Sequence, residues 1–458
     1  MTIEFVRPEV SKATPDWEKI RDITEGQNLS RYLRQLKRPN GLIDTVRQEA
    51  YEDGAVFYSV SGHTHRGMVG TVFSKDANLD VPPGLEYLRE NADGRGNSLI
   101  QQSQSLTGDV IRYGRAGLWV DFPTTEGEVS RADRGRFFAT VHTFQPDQII
   151  NWRTQTTGAV TRLSLVVIAE YEERIEGYEV EKVKVLRELA LDEEGRYFVR
   201  KWEKQGDEDE FMPGEALFPT DSAGSPLTQI PFTFVGSENN DPTIDPAPML
   251  DIVRVNVGHF RNSADYEDSV FYAGQVQPYM TGADASVYEL MQEQDFYIGS
   301  RMLMPVPSGE AFGFAEPGAN PLVRQAMIDK VDQMIGLGAR FVQSAGAGKT
   351  DTEARSDSLA KNSTLSLVAK NVGDAYTAAL GWVGLFMGEA TEGAFLELNQ
   401  DFAELAATPA ALAAWVKSYI DGAVPQSQYI QWMKRNGYFD PELPDEEIER
   451  ELDEVATP

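Results

Sequence analysis

Cysteine is absent from the 458 residues, which removes disulfides, thiolate zinc sites and cysteine nucleophiles together. The absence suits a chain that folds in a reducing cytoplasm. Histidine is nearly as scarce, with only His63, His65, His142 and His259, so a metal site with three protein ligands would need carboxylates from elsewhere. Long apolar runs are missing too. Leu163 to Ala169, broken by Ser164, falls far short of the roughly 20 residues that span a bilayer. The opening MTIEFVRPEVSK carries charges where an export signal needs an apolar core, so the expectation is a soluble protein without a visible signal. Positive charge is in deficit: 42 Lys and Arg against 72 Asp and Glu leave a formal charge of −30. That excludes wrapping of duplex DNA by a basic surface. An acidic protein can still handle DNA if it must avoid sticking to it.

With 41% hydrophobic and 10% aromatic residues, the chain can bury a sizeable core in two to four folding regions. Its organising stretch runs from Asp245 to Tyr272. Asp245 suits an N-cap and Pro246 the first turn, and Met249, Val253, Val257, Phe260 and Ala264 recur at helical spacing opposite Asp251, Arg254, Arg261, Asp265 and Asp268. The pattern predicts an amphipathic helix roughly 40 Å long, more than a small domain needs. A second long helix is predicted from Asn320, with Pro321 at its first position and Val323, Met327, Val331, Met334, Gly338 and Phe341 on one face. Between the two, residues 275 to 317 read as a compact insert of short strands with a helical turn near Tyr288. Chain order and lengths thus predict a helical hairpin with a small β module at its tip.

The rest reads as α+β. Helices are expected before residue 55, broken at Pro39-Asn40-Gly41, and over residues 97 to 114. The glycine-rich stretch 55–73 reads as helix and loop. GLWVDF reads as a buried strand, and Val183 to Leu191, the turn DEEG and YFVRKW read as a hairpin followed by an exposed loop from Lys204 to Gly214. A third helix, opened by a capping box at Thr350 to Glu353, should run to about Gly388. FLELNQDF supplies a strand, and Thr408-Pro409, Pro425-Gln426-Ser427 and Pro444-Asp445 open three short helices.

Few segments carry recognisable chemistry. SAGAGKT, residues 344 to 350, has the small residues and lysine of a phosphate-cradling loop, but Gln343 stands where that motif needs glycine and a helix precedes it where a strand is required. The flexible-loop reading is preferred, with a P-loop nucleotide hydrolase using Lys349 and Thr350 as the alternative. Gly62-His63-Thr64-His65 could place two imidazoles on one strand face, but no partner ligands are evident. Acidic pairs are too common to single out a general acid and base, and no serine lies in a nucleophile-elbow setting.

Five segments together resemble the portal, or head-to-tail connector, proteins of tailed bacteriophages: GRAGLWVDFP (114–123), FQPDQIINWR (144–153), IPFTFVGSENN (230–240), VNVGHFRNSADYE (255–267) and TDTEARSDSLAKNSTL (350–365). The resemblance covers roughly residues 40 to 440 and implies a portal-type α+β subunit. On that basis residues 1–244 form an α/β wing, 245–273 the first stem helix, 274–318 the clip, 319–343 the second stem helix, 344–388 the tunnel loop and kinked helix, 389–407 a strand returning to the wing, and 408–458 a small helical crown. It further implies a non-enzymatic ring of twelve at one vertex of the virion capsid, assembled in the host cytoplasm, through which double-stranded DNA is packaged and ejected without sequence specificity. The implied partners are the large terminase subunit, the major capsid or scaffolding protein and a head-completion adaptor; no membrane and no cofactor are implied.

Acidic walls would limit sticking of a moving duplex, with a few cations setting contact points. Lys349, Arg355, Lys361 and Lys370 are the channel candidates, against the alternative of ordinary solvated helix charge. The apolar faces Met249, Val253, Val257, Phe260 and Val323, Met327, Val331, Met334 are the stem and assembly candidates, since lateral packing in a closed ring would cover them. A virion or scaffolding protein without a channel is a further alternative.

Overall fold

Residues 115–121 are buried along almost their whole length, so this strand lies covered on both faces. It is the centre of an α+β chain seen in a computed structural model, which describes residues 2–37, 41–43, 45–123, 137–204, 210–273, 277–281, 311–315, 321–341, 363–400, 402, 424–435, 444–445 and 448. The chain divides into two compact units: Met1–Glu25, Ser61–Val253 and Ile335–Pro458 form one, Gly26–Val60 and Arg254–Met334 the other.

In the first unit, β2 (Arg115–Asp121) pairs antiparallel with β3 (Thr140–Phe144) and β9 (Phe232–Gly236). Two helices cover this sheet: α4 (Leu99–Tyr113), and α7 (Thr364–Met387), which buries Leu365, Val368, Val372, Tyr376, Leu380 and Val383. Ser98 and Gln101 close a capping box on α4, and Ser363 caps α7 by accepting from the Ser366 amide. Helix α1 (Pro8–Glu25) packs on α4, with Trp17 Nε1 donating to the Tyr113 carbonyl at 3.1 Å. Two short strands, β1 (Asn78–Asp80) and β12 (Phe395–Glu397), pair antiparallel. Near the C-terminus, α8 (Gln426–Arg435) buries Tyr429, Ile430 and Met433 with Ile448.

The same unit holds a five-stranded meander, β4 (Ile149–Thr157), β5 (Val160–Glu176), β6 (Glu179–Leu191), β7 (Tyr197–Lys204) and β8 (Phe211–Leu217). The expected β6–β7 hairpin is present, its turn tied by Asp192, whose carboxylate accepts from the Glu194 and Arg196 amides. Two features differ from expectation. Leu186 and Ala190 are buried as well as Val185 and Leu189, because that half of β6 is covered on both faces. The stretch from Phe211 to Gly214, expected as loop, is an edge strand paired only with β7, a position where Pro213 costs no ladder bond on the outer side.

In the second unit, α2 (Thr45–Gly54) and the non-helical residues 55–59, through Ala55 and Phe57, pack against the later turns of α5 (Leu250–Ala273). Leu33, Tyr51, Phe260 and Ala264 are its core, with Phe57 meeting Phe260 edge-on at 5.3 Å. Strands β10 (Gln277–Thr281) and β11 (Ala311–Ala315) pair antiparallel, and α6 (Pro321–Arg340) follows. The helical turn expected near Tyr288 lies outside the described residues. Lys330 of α6 runs along α5 at Gly258, where a Cβ would come within 3.1 Å of its Cε.

One helix start differs from the sequence reading. Helix α5 begins at Leu250, five residues after the cap expected at Asp245. The Asp245 carboxylate instead accepts from the Glu238 and Asn239 amides, at 2.7 and 3.2 Å, and so ties a preceding turn. The glycine-rich stretch is loop and helix as expected, with residues 55–59 non-helical and α3 running over Val60–Val72, where Met68 and Val72 pack. The capping box expected at Thr350 to Glu353 and the helix start at Thr408-Pro409 fall outside the described residues.

Candidate functional site

Three of the resembling segments converge on one buried cation. Arg115 is 2% exposed, and its Nη1 donates to the carbonyls of Pro242 and Thr243 at 2.7 and 2.6 Å. Its guanidinium lies 4.3 Å from the Trp152 ring and 4.1 Å from Phe234, so the charge is held by π faces as well as carbonyls. Burial pulls the group down to about 9, opposed by Asp245 and Asp241, and it stays charged at neutral pH. Around it the turn after β9 is closed by amides: Asn371 Nδ2 donates to the Gly236 carbonyl, Asn240 Nδ2 to the Asn371 carbonyl, and the Gly236 amide to Asn240 Oδ1. Gly114 sits at φ 74°, and any Cβ there would come within 2.5 Å of the Pro246 oxygen. The chain entering α5 is thereby pinned from β2, β4, β9 and α7.

In the second unit α5 supplies polar groups that a β partner would otherwise provide. Ser263 Oγ accepts from the Val56 amide at 2.9 Å and donates to the Val56 carbonyl at 2.6 Å, and Asn256 Nδ2 donates to the Tyr58 carbonyl at 2.9 Å. Asn256 and Ser263 are two turns apart and so share a face. Tyr51 donates to Asp265 at 2.8 Å, and burial with that carboxylate pushes the phenol up. His259 is buried, which lowers it, helped by the nearby Lys330.

The first set of stem candidates, Met249 just before α5 and Val253, Val257 and Phe260 on it, is buried throughout. On α6, Met334 is buried and Val323, Met327 and Val331 are half-buried, while Leu322, Ile328 and Ile335 are 75%, 47% and 61% exposed. Val270 and Phe271 near the end of α5 are exposed as well. The most exposed apolar side chains on these helices are therefore a different set from those the helical period singled out. Of the channel candidates, Lys370 is exposed on α7, and Lys349, Arg355 and Lys361 lie outside the described residues, as does the SAGAGKT loop.

His63 and His65 stand on helix α3, where positions two apart point to different sides. Arg66 reaches His63 at 3.3 Å, whereas His65 Nε2 meets the Gly108 carbonyl at 3.0 Å and is pushed down to about 4 by burial and by Arg112. His65 lines a cleft of about 540 Å³ with Gln104, Asp109, Arg112 and Gln145, in which Arg112 pairs with Asp109 and Glu25 at 2.7 Å each. Burial raises Asp109 against the pull of Arg112. Among the described residues no group of three His, Asp or Glu could hold a metal ion.

The domain of unknown function DUF4055 matches residues 248–387, from the start of α5 to the end of α7. No curated protein matches the chain. One solved structure it is similar to is the neck of an empty GTA particle computed with C6 symmetry, at 16% identity over 87% of this chain and 95% of the other, with a TM-score of 0.38. A superposition that loose does not establish a shared fold. What the described residues offer is positional: a buried cation fixing the root of one long helix, and apolar residues left open along the other. Arg115, Asn256 and Ser263 were missed as sequence candidates, although a lone charge beside an apolar strand and polar residues seven apart on an apolar face were both visible.

Proposed function

We propose that the chain is the subunit of a ring-forming portal, or head-to-tail connector, at one vertex of a phage-type capsid. In this reading it is a conduit for double-stranded DNA during packaging and ejection and a docking platform for the terminase large subunit, capsid or scaffolding protein and a head-completion adaptor, with no catalytic role. The observation that carries the reading is the order helix, paired β module, helix over α5, β10, β11 and α6, with Ile328 and Ile335 exposed on α6. The formal charge of −30 supports it, because a bore of like charge to phosphate lets a duplex slide. The motif resemblance supplies the twelvefold ring, the virion location, and Lys349, Arg355, Lys361 and Lys370 as cations facing DNA. Negative-stain imaging of the purified full chain tests the reading: rings with a central hole are expected, and a monodisperse monomer at high concentration ends it.

A further inference from the structure

Strands β5 and β6 outrun their sheet. β5 pairs with β4 only as far as Ile168, and β6 pairs with β7 only from Leu186, yet the two pair with each other out to Glu176 and Glu179. The residues from Ala169 to Val185 therefore form a two-stranded arm about 25 Å long. Such a ribbon is marginal in water on its own.

Its two faces differ in chemistry. Directly paired residues share a face, so Tyr171 with Lys184, Glu173 with Lys182 and Ile175 with Val180 occupy one side. That side continues the apolar cluster of Val167, Ala169 and Leu186 outward, but Tyr171, Ile175 and Val180 are 66%, 70% and 55% exposed. The other side carries Arg174, Glu179 and Glu181, all exposed, and Glu172, which pairs with Lys201.

We infer that the Tyr171, Ile175, Val180, Lys182 and Lys184 face of this arm docks on a second copy of the chain, against the Glu179 and Glu181 face of that copy's arm. Two arguments select this occupant. A face bearing Lys182 and Lys184 against Glu173 is net positive and finds opposite charge readily on a chain with 72 acidic against 42 basic residues, and nearest on the reverse side of the same arm, where Glu172, Glu179 and Glu181 outnumber Arg174. The contact joins unlike surfaces, which is the heterologous kind that closes rings, and when the rotation between neighbours is small one face of an element meets its opposite face next door. The inference rests on the ring reading and adds to it a contact made outside the two long helices.

The test compares the wild-type full chain with Tyr171→Asp/Ile175→Asp, with Lys182→Glu/Lys184→Glu, and with the latter combined with Glu179→Lys/Glu181→Lys, using native mass spectrometry with circular dichroism as a check on folding. The first two variants are expected to be monomeric where the wild type assembles, and the fourfold charge exchange to assemble again. Because the charge reversals lie on exposed positions, they decide the matter even where the aspartate variant unfolds. Undiminished assembly of Lys182→Glu/Lys184→Glu, or no recovery in the fourfold exchange, overturns the contact alone. A monomeric wild type overturns the contact and the ring together.

Discussion

The guanidinium of Arg115 stands 4.1 Å from the ring of Phe234, two strands of one sheet gripping the segment that leads into α5 through the Pro242 and Thr243 carbonyls. Lysine at this position keeps a charge but lacks the planar fork that reaches both carbonyls from between two rings. Arg115→Lys is expected to lose about 1–3 kcal/mol, the cost of leaving a buried polar group unmatched. Urea unfolding measures it, and an unshifted midpoint refutes it.

Ser263 holds both backbone groups of Val56. Ser263→Ala removes both bonds while sparing the apolar core around Phe260. Hydrogen exchange at the Val56 amide is expected to quicken about tenfold, equivalent to about 1.4 kcal/mol of local stability. Exchange unchanged at residues 55–59 counts against the role.

His65 gives a pH effect of definite sign. Folded, burial holds it down at about 4, while an unfolded chain takes up the proton near pH 6.5. The unfolded state therefore binds more protons between those values, and stability contributed by neutral His65 is full above about pH 6.5 and lost as pH falls toward 4. His142, also pushed down to about 4 by burial, adds in the same direction, and Asp121, raised by burial to about 6, opposes it. Comparison with His65→Gln isolates the one group: the wild type should lose about 1–3 kcal/mol more than the variant between pH 6.5 and 4. Parallel curves would refute the assignment.

Ile328 and Ile335 are two turns apart on α6 and exposed. Ile328→Asp/Ile335→Asp should leave the melting temperature of the subunit nearly unchanged while reducing assembly in analytical ultracentrifugation. Normal assembly would show that this stripe meets nothing in the ring.

Lys349→Gln should alter DNA retention or packaging, measured by nuclease-protected DNA in particles, while rings still form. Loss of rings in this variant would assign the residue to structure.

The pattern-bearing parts of the chain were legible. α4 was expected over residues 97 to 114, the β6–β7 hairpin declared itself by alternation and DEEG, and α6 by Pro321 and its period. The start of α5 was misjudged because Asp245 can cap a helix or close a turn, and only the tertiary position of the Glu238 and Asn239 amides decides. The glycine-rich stretch 55–73 was read as helix and loop without bounds, and packing of Met68 and Val72 sets α3 to Val60–Val72 against the low helix propensity of its glycines. The roles of Asn256 and Ser263 depend on a segment some two hundred positions away, which no local window contains.

That separation has a consequence for synthesis. The partner of Val56 lies 207 residues downstream, so at ribosomal speeds of about 5–20 residues per second the stretch before α3 waits roughly 10 to 40 s for the helix that will hold it. During that interval the backbone groups of Val56 and Tyr58 that α5 will bind are left to water, so this stretch takes its final form only after most of the first unit's strands have been made.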